Sequence, residues 1–191
     1  MHAIAISGSP RKNGNTETLL QRCIDGLAAA GVEGELVSLR DKTIKGCRAC
    51  ATCSRNRDGQ CNTKDDDFHA VFAAMQKADI IVVGSPVYFG SATPEMMALL
   101  DRAGYVSRAN GNYFARKLGG PIAVARRAGH NFTYAQLLMW FMINDMVVPG
   151  SSYWNVALAR EPGKVSEDGE ALATVDRFAE NLAWLAQRLC K

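Results

Sequence analysis

His2-Ala3-Ile4-Ala5-Ile6-Ser7-Gly8-Ser9-Pro10-Arg11-Lys12-Asn13-Gly14-Asn15-Thr16 decides how the rest of the chain is read. A short apolar run with β-branched isoleucines gives way to Gly, Ser, Pro and Asn, and then to apolar residues at helical spacing (Leu19, Leu20, Cys23, Ile24, Leu27). This pattern predicts a buried strand over His2–Ser7, a tight polar turn, and a helix over Asn15–Ala30 closed by Gly31. N–H groups at a helix start, small hydroxyls and one cation are the converging donors a phosphate needs. Ser9, Asn15 and Thr16 supply donors here, Arg11 supplies charge, and two glycines let the backbone fold tightly. The P-loop pattern G-x-x-x-x-G-K-[ST] is absent, and Gly8 and Gly14 do not fit G-x-G-x-x-G. An ordinary strand-to-helix turn with Asn or Thr as the cap accounts for the same residues without a ligand.

The alternation continues outward from this turn. Glu35–Leu39 reads as a second strand. Asp65–Ala78 reads as a helix whose three leading aspartates suit an N-terminus. Asp79–Gly84 reads as a buried strand, Thr93 to Val106 as a helix with Pro94 in its first turn, and Pro121–Ala125 as another buried strand. Phe132–Asp145 reads as a helix, Met146, Val147 and Val148 as the start of a last strand, and Asp168 to Leu189 as an amphipathic helix. Five strands alternating with helices predict an α/β fold: a doubly wound, five-stranded parallel sheet with helices on both faces. Such sheets bind ligands beyond the carboxyl ends of their strands. The 191 residues are expected to form one domain, with a cysteine-rich loop, 41–64, inserted after the second strand. A net charge of +3, from 22 basic and 19 acidic residues, is too mild for a nucleic-acid footprint. No apolar run is long enough to span a membrane, and residues 1–7 lack the pattern of a signal peptide. A cytoplasmic protein, with no nucleic-acid or membrane partner, is expected.

Beyond the third strand stands Gly84-Ser85-Pro86-Val87-Tyr88-Phe89-Gly90-Ser91. Two aromatics and a proline in a loop at this rim call for a partner, and a flat isoalloxazine ring is a suitable one. Packing under the next helix or in a subunit contact explains them equally. Taken together, Ser7-Gly8-Ser9-Pro10-Arg11 with Gly14-Asn15-Thr16, Ser85-Pro86-Val87-Tyr88-Phe89-Gly90, Asp101-Arg102 and Pro149-Gly150-Ser151-Ser152-Tyr153-Trp154-Asn155 resemble the NAD(P)H-dependent FMN reductase group of flavodoxin-like proteins. The resemblance spans nearly the whole chain. It implies a flavodoxin-like sheet, an FMN phosphate held by Ser9, Arg11, Asn15 and Thr16, and a flavin ring lined by Pro86, Val87, Tyr88, Phe89 and Gly90. A third flavin-facing loop would fall on residues 125–131, with Ala125, Arg126 and Gly129 carried over. Met97 departs from the group, where a lysine often precedes the Asp-Arg pair.

Cys47-x2-Cys50-x2-Cys53-x7-Cys61 is the sharpest local signal. Two short steps let a compact loop turn three thiolates toward one centre, and a longer excursion brings in a fourth. Four thiolates suit a [4Fe-4S] cluster or a zinc ion, and three closely spaced cysteines favour iron–sulfur. Free or disulfide-prone thiols are the third option. The spacing resembles that of the iron-sulfur flavoprotein branch of the same family, which implies a [4Fe-4S] cluster on all four. Arg48, Arg55 and Arg57 are placed to offset its negative charge, or are simply solvated. Cys23 and Cys190 read as structural. His69 is expected to be solvated, and His130 to stand near the third flavin loop.

The expected function is FMN-dependent electron transfer with small-molecule or protein donors and acceptors, NAD(P)H being a candidate donor. The flavin carries the chemistry, so no catalytic side chain is assigned. A metal-free NAD(P)H:FMN or quinone reductase, a non-catalytic electron carrier and a zinc-stapled module without flavin are the alternatives. The broad apolar stripe Tyr134, Leu137, Leu138, Trp140, Phe141 and Met142, with the family resemblance, predicts a homodimer or homotetramer in which one subunit's flavin lies near a partner's cysteine loop.

Overall fold

The computed structural model describes residues 1–189; Cys190 lies outside the described residues. The chain runs β1 (His2–Ser7), α1 (Asn15–Ala29), β2 (Glu33–Ser38), α2 (Thr52–Asn56), α3 (Phe68–Lys77), β3 (Ile80–Pro86), α4 (Pro94–Ala109), β4 (Leu118–Ala125), α5 (His130–Ile143), β5 (Val156–Leu158), a 3-10 turn (Lys164–Glu167) and α6 (Gly169–Leu189). The five strands form a parallel sheet in the order β2-β1-β3-β4-β5. This is the flavodoxin-like order, whose switch point lies between β1 and β3.

Strand side chains alternate between two cores. Ala3, Ala5, Ile80 and Val82 pack with α1 and α6 on one face. Ile4, Ile6, Ile81 and Val83 pack with α3, α4 and α5 on the other. The central strands are covered on both faces and so read as continuous apolar runs.

Two expectations are corrected. The last strand does not continue from Met146, Val147 and Val148: Val147 forms one isolated bridge to Leu118, and pairing with β4 resumes only at Val156–Leu158. Pro149 cannot donate to the ladder, so the edge strand breaks there and the chain loops out before rejoining. The third helix begins at Phe68, with Asp67 at its N-cap, rather than at Asp65. The Asp66 carboxylate accepts the Phe68 N–H at 3.3 Å at the helix start, and the three aspartates also tie down the cysteine loop. The Asp67 carboxylate accepts the Thr43 N–H at 2.7 Å, the Asp66 carboxylate accepts the Lys45 N–H at 2.9 Å, and Asp65 pairs with the Lys45 ammonium.

Candidate functional site

The turns after β1 and β3 are stitched together at the carboxyl rim. The Gly8 N–H donates to the Gly84 carbonyl at 2.8 Å, and the Thr93 hydroxyl donates to the Gly8 carbonyl at 2.9 Å. A Cβ on Gly8 would lie 2.7 Å from that hydroxyl, so the approach requires glycine. Between these turns lies a cleft of about 130 Å³, lined in part by Ser9, Arg11, Asn15, Thr16, Pro86, Val87, Tyr88 and Arg126. All four residues assigned to the phosphate thus meet three of the ring residues and one from the third loop.

The local geometry suits an anion. No side chain caps α1, whose N-cap is Gly14; its first-turn N–H groups have no intrahelical acceptor and point out of the helix start. Arg11 and Arg126 add positive charge at the same mouth. Glu17, buried in the first turn, accepts the Asn13 N–H at 2.7 Å and the Ser38 hydroxyl at 2.8 Å, and so fixes the turn from behind.

The Asn15 amide is also engaged within the chain. Its Nδ2 donates to the Glu161 carbonyl at 2.9 Å and to the Ala159 carbonyl at 3.4 Å, while its Oδ1 accepts the Val165 N–H at 3.2 Å. The side chain therefore clamps the segment after β5 to the start of α1. Asn15→Ala is expected to cost about 1–3 kcal/mol, because buried backbone groups lose their partners. It should also loosen the cleft. Thermal melts and FMN titration check both effects, and an unchanged melt would refute the clamp.

The β3 loop closes in a tight turn: Tyr88 and Ser91 exchange backbone hydrogen bonds at 2.8 and 3.0 Å. Phe89 and Gly90 at its centre have φ of 52° and 81°. Two left-handed residues in succession make a type I′ turn, and Phe89 is strained there and fully exposed. Tyr88 is 44% exposed beside it. The Gln136 side chain from α5 accepts the Ala92 N–H at 2.9 Å and the Ser91 hydroxyl at 3.0 Å, holding the turn in place. Phe89, Gly90, Ala125 and Gly129 flank the cleft without lining it. A Cβ on Gly129 would come within 3.3 Å of the Gly90 Cα, so the third loop touches the second. Ala125 is buried at the end of β4, where its carbonyl accepts the Ala159 N–H at 2.9 Å.

Arg160, which also lines the cleft, escaped the sequence reading. Its signal was its place just after a final strand, hidden because that strand was expected at Met146–Val148. His130 does stand at the start of α5, and its Nδ1 is buried without a partner. His69 is not solvated as expected: its Nε2 lies 3.1 Å from the Cys61 carbonyl and 3.2 Å from that of Thr63.

Cys47, Cys50, Cys53 and Cys61 all line a second cavity, of about 220 Å³, together with Arg102, Tyr105 and Val106 of α4. The described cysteines are free thiols. Ala49 and Ala51, which alternate with the first three cysteines, have φ of 50° and 56°. Left-handed non-glycine residues cost about 1–2 kcal/mol each, and on this loop Cys47 and Cys50 are exposed while Cys53 and Cys61 are half-buried. Hydrogen bonds from Thr52 and the nearby charge of Arg55 lower the Cys50 thiol below its ordinary range. By contrast, burial pushes Cys23 up to about 12, which leaves it inert.

Arg48, Arg55 and Arg57 are exposed, and the arginine that reaches a sulfur is Arg102. Its side chain is 1% exposed and paired with Asp66, which is fully buried. Burial works against the Asp66 carboxylate, but hydrogen bonds from Arg102 and Lys45 and the guanidinium charge outweigh it and hold the carboxyl below its usual range. Among the described residues, no group of three Cys, His, Asp or Glu side chains is placed to hold a metal ion.

Residues 1–161 match the NADPH-dependent FMN reductase family. The chain is 32% identical to an iron-sulfur flavoprotein of Methanocaldococcus jannaschii, covering 100% of both chains. It is 31% identical to an iron-sulfur flavoprotein of Methanosarcina thermophila, over 95% of this chain and 93% of that one. Among solved structures a flavone reductase superposes with a TM-score of 0.74 at 19% identity; the match covers 98% of this chain and 63% of that one, a likeness of fold. With this fold, this rim cleft and these relatives, the chain belongs to the NADPH-dependent FMN reductase family.

Proposed function

We propose that this FMN-dependent oxidoreductase holds FMN in the rim cleft and a [4Fe-4S] cluster on Cys47, Cys50, Cys53 and Cys61, and works as an electron-transfer iron-sulfur flavoprotein with NAD(P)H as a donor. The observation that carries the reading is the cleft itself. An uncapped helix start and the cations Arg11 and Arg126 stand at one mouth, with the exposed aromatics Tyr88 and Phe89 beside it. When bound, FMN would supply hydride and single-electron chemistry and the cluster single-electron chemistry. The chain's residues bind and orient. The first-turn N–H groups and Arg11 hold the phosphate, the Pro86–Gly90 turn lies against the ring, and the strained cysteine loop gathers its four thiols around one cavity.

A homodimer or homotetramer in the cytoplasm completes the proposal. The helix α4 starts at the rim and runs away from it. Arg102 and Tyr105 therefore lie about 12–16 Å along its axis from its first residue. Electron exchange between the cysteine cavity and a partner's flavin is part of the proposal. On α5, Phe132, Met139, Met142 and Ile143 are exposed, with Tyr105 of α4 exposed as well, an apolar surface apt for a second copy. No helix among the described residues is long and apolar enough to cross a membrane.

Anaerobic purification followed by a visible spectrum and iron and sulfide assays tests the reading. FMN, iron and sulfide are expected together, in a dimer or tetramer by light scattering. Cys53→Ser is expected to lose iron and sulfide while keeping FMN. A wild-type protein that shows no affinity for excess FMN would end the proposal.

A further inference from the structure

Arg102 directs every guanidinium donor into the cysteine loop and its anchor. Nε donates to the Cys61 Sγ at 3.3 Å. Nη1 donates to the Lys45 carbonyl at 3.0 Å and to Asp66. Nη2 donates to the Thr63 carbonyl at 2.8 Å and to the second Asp66 oxygen at 3.3 Å. The guanidinium also lies over the Phe68 ring, 4.0 Å from its centroid. Guanidinium has five N–H groups in a rigid fork, so none is left over. The carboxylate already satisfies the charge, and backbone carbonyls take the other two Nη hydrogens. The remaining N–H goes to a sulfur.

We infer that Arg102 is a positioning residue for the group held by the cysteine loop: its Nε–H aims the Cys61 sulfur into the cavity and raises the reduction potential of whatever that sulfur ligates. This rests on the cluster reading above. Hydrogen bonds to ligand sulfurs and local charge are the protein's levers on cluster potential. A cationic donor draws negative charge from the sulfur and favours the form that carries one more electron. Burial keeps water from screening the effect. The Arg102–Asp66 pair has its positive end at Cys61 and its negative end away from it. Removing the two partners should therefore move the potential in opposite directions. A purely structural role would move both the same way, because either loss loosens the same loop.

The test uses anaerobically reconstituted protein, assayed first for iron and sulfide and then titrated electrochemically with spectroscopic readout. Arg102→Gln is expected to lower the cluster midpoint by about 59 mV or more, a tenfold change in the one-electron equilibrium. Asp66→Asn is expected to raise it. Shifts in the same direction, or none, overturn the inference while leaving the cluster in place. A wild-type protein without iron and sulfide overturns the cluster reading, and the inference with it. If Arg102→Gln does not load, wild-type protein grown with ¹⁵N-arginine decides the matter. Pulsed EPR of the reduced cluster should show a nitrogen coupling that changes with the isotope, and the absence of such a coupling overturns the inference.

Discussion

Asp66→Ala is expected to destabilise the protein by about 3–5 kcal/mol, the usual cost of stripping one partner from a buried ion pair. For a chain of this size that corresponds to a fall in melting temperature of roughly 6–20 °C. The reason is that Arg102 cannot leave. Its side chain is buried in the middle of α4, so removing Asp66 strands a guanidinium out of water with two donor positions unmet. The same carboxylate also accepts the Lys45 N–H, so the approach to the cysteines loosens at once. Asp65→Ala is the control: its carboxylate is exposed and pairs with the flexible Lys45 side chain, so little change is expected. The pH dependence has a definite sign. Asp66 titrates below its unfolded value, so its contribution is present above that value, about 3.9 for an aspartate. It is lost as pH falls through the lower folded value. The gap in stability between wild type and Asp66→Ala should hold steady from neutral pH to about 5 and close only below about 4. Denaturant melts of both proteins across that range measure it. A variant as stable as wild type at pH 7 would show that the pair contributes nothing.

Gly119→Ala is expected to keep the chain from folding, or to cost more than about 4 kcal/mol, at the far end of what single substitutions do. A Cβ there would lie 1.9 Å from the Ile81 carbonyl oxygen and 3.0 Å from the Phe141 ring. The first of these is backbone of the adjacent strand, paired in register with Gly119 itself. No rotamer relieves it, so β3 and β4 would have to part at the centre of the sheet, and the two strands carry the loops that shape the FMN cleft. Gly150→Ala is the contrast, since nothing lies within 4 Å of its added carbon. Soluble yield and circular dichroism separate the two. A soluble Gly119→Ala protein that melts like wild type would mean that the strands do not approach so closely.

The expected reach of β4 shows why such sites are hard to foresee. Pro121–Ala125 was legible as a strand, but the strand starts three residues earlier, at Leu118, and takes in Gly119 and Gly120, although glycine is a poor strand former. Here the glycines belong to the strand and allow its close approach. The three aspartates at 65–67 followed the same pattern. By composition they suit a helix start, and Asp66 does accept the Phe68 N–H there, but their further partners Lys45, Arg102 and the Thr43 backbone lie far away in sequence. The apolar excess of α5 was legible as an excess, since Leu137, Trp140 and Phe141 are buried while Met139 and Met142 are not.

By itself the sequence determined whatever depends on neighbours along the chain: the alternation of apolar runs with helical periodicity, the glycine-rich turn after the first strand, the aromatic turn after the third, and four cysteines within one loop. These follow from local sterics and from the period of burial, which a few residues suffice to express. Only the tertiary structure decided which groups meet across long separations: Asn15 with the chain around Glu161, Arg160 on the same cleft as Arg11, and Arg102 with Asp66 and Cys61. Those pairings arise when the sheet is assembled and its helices are laid on it, because desolvated donors and charges must then find partners among whatever the packing brings near.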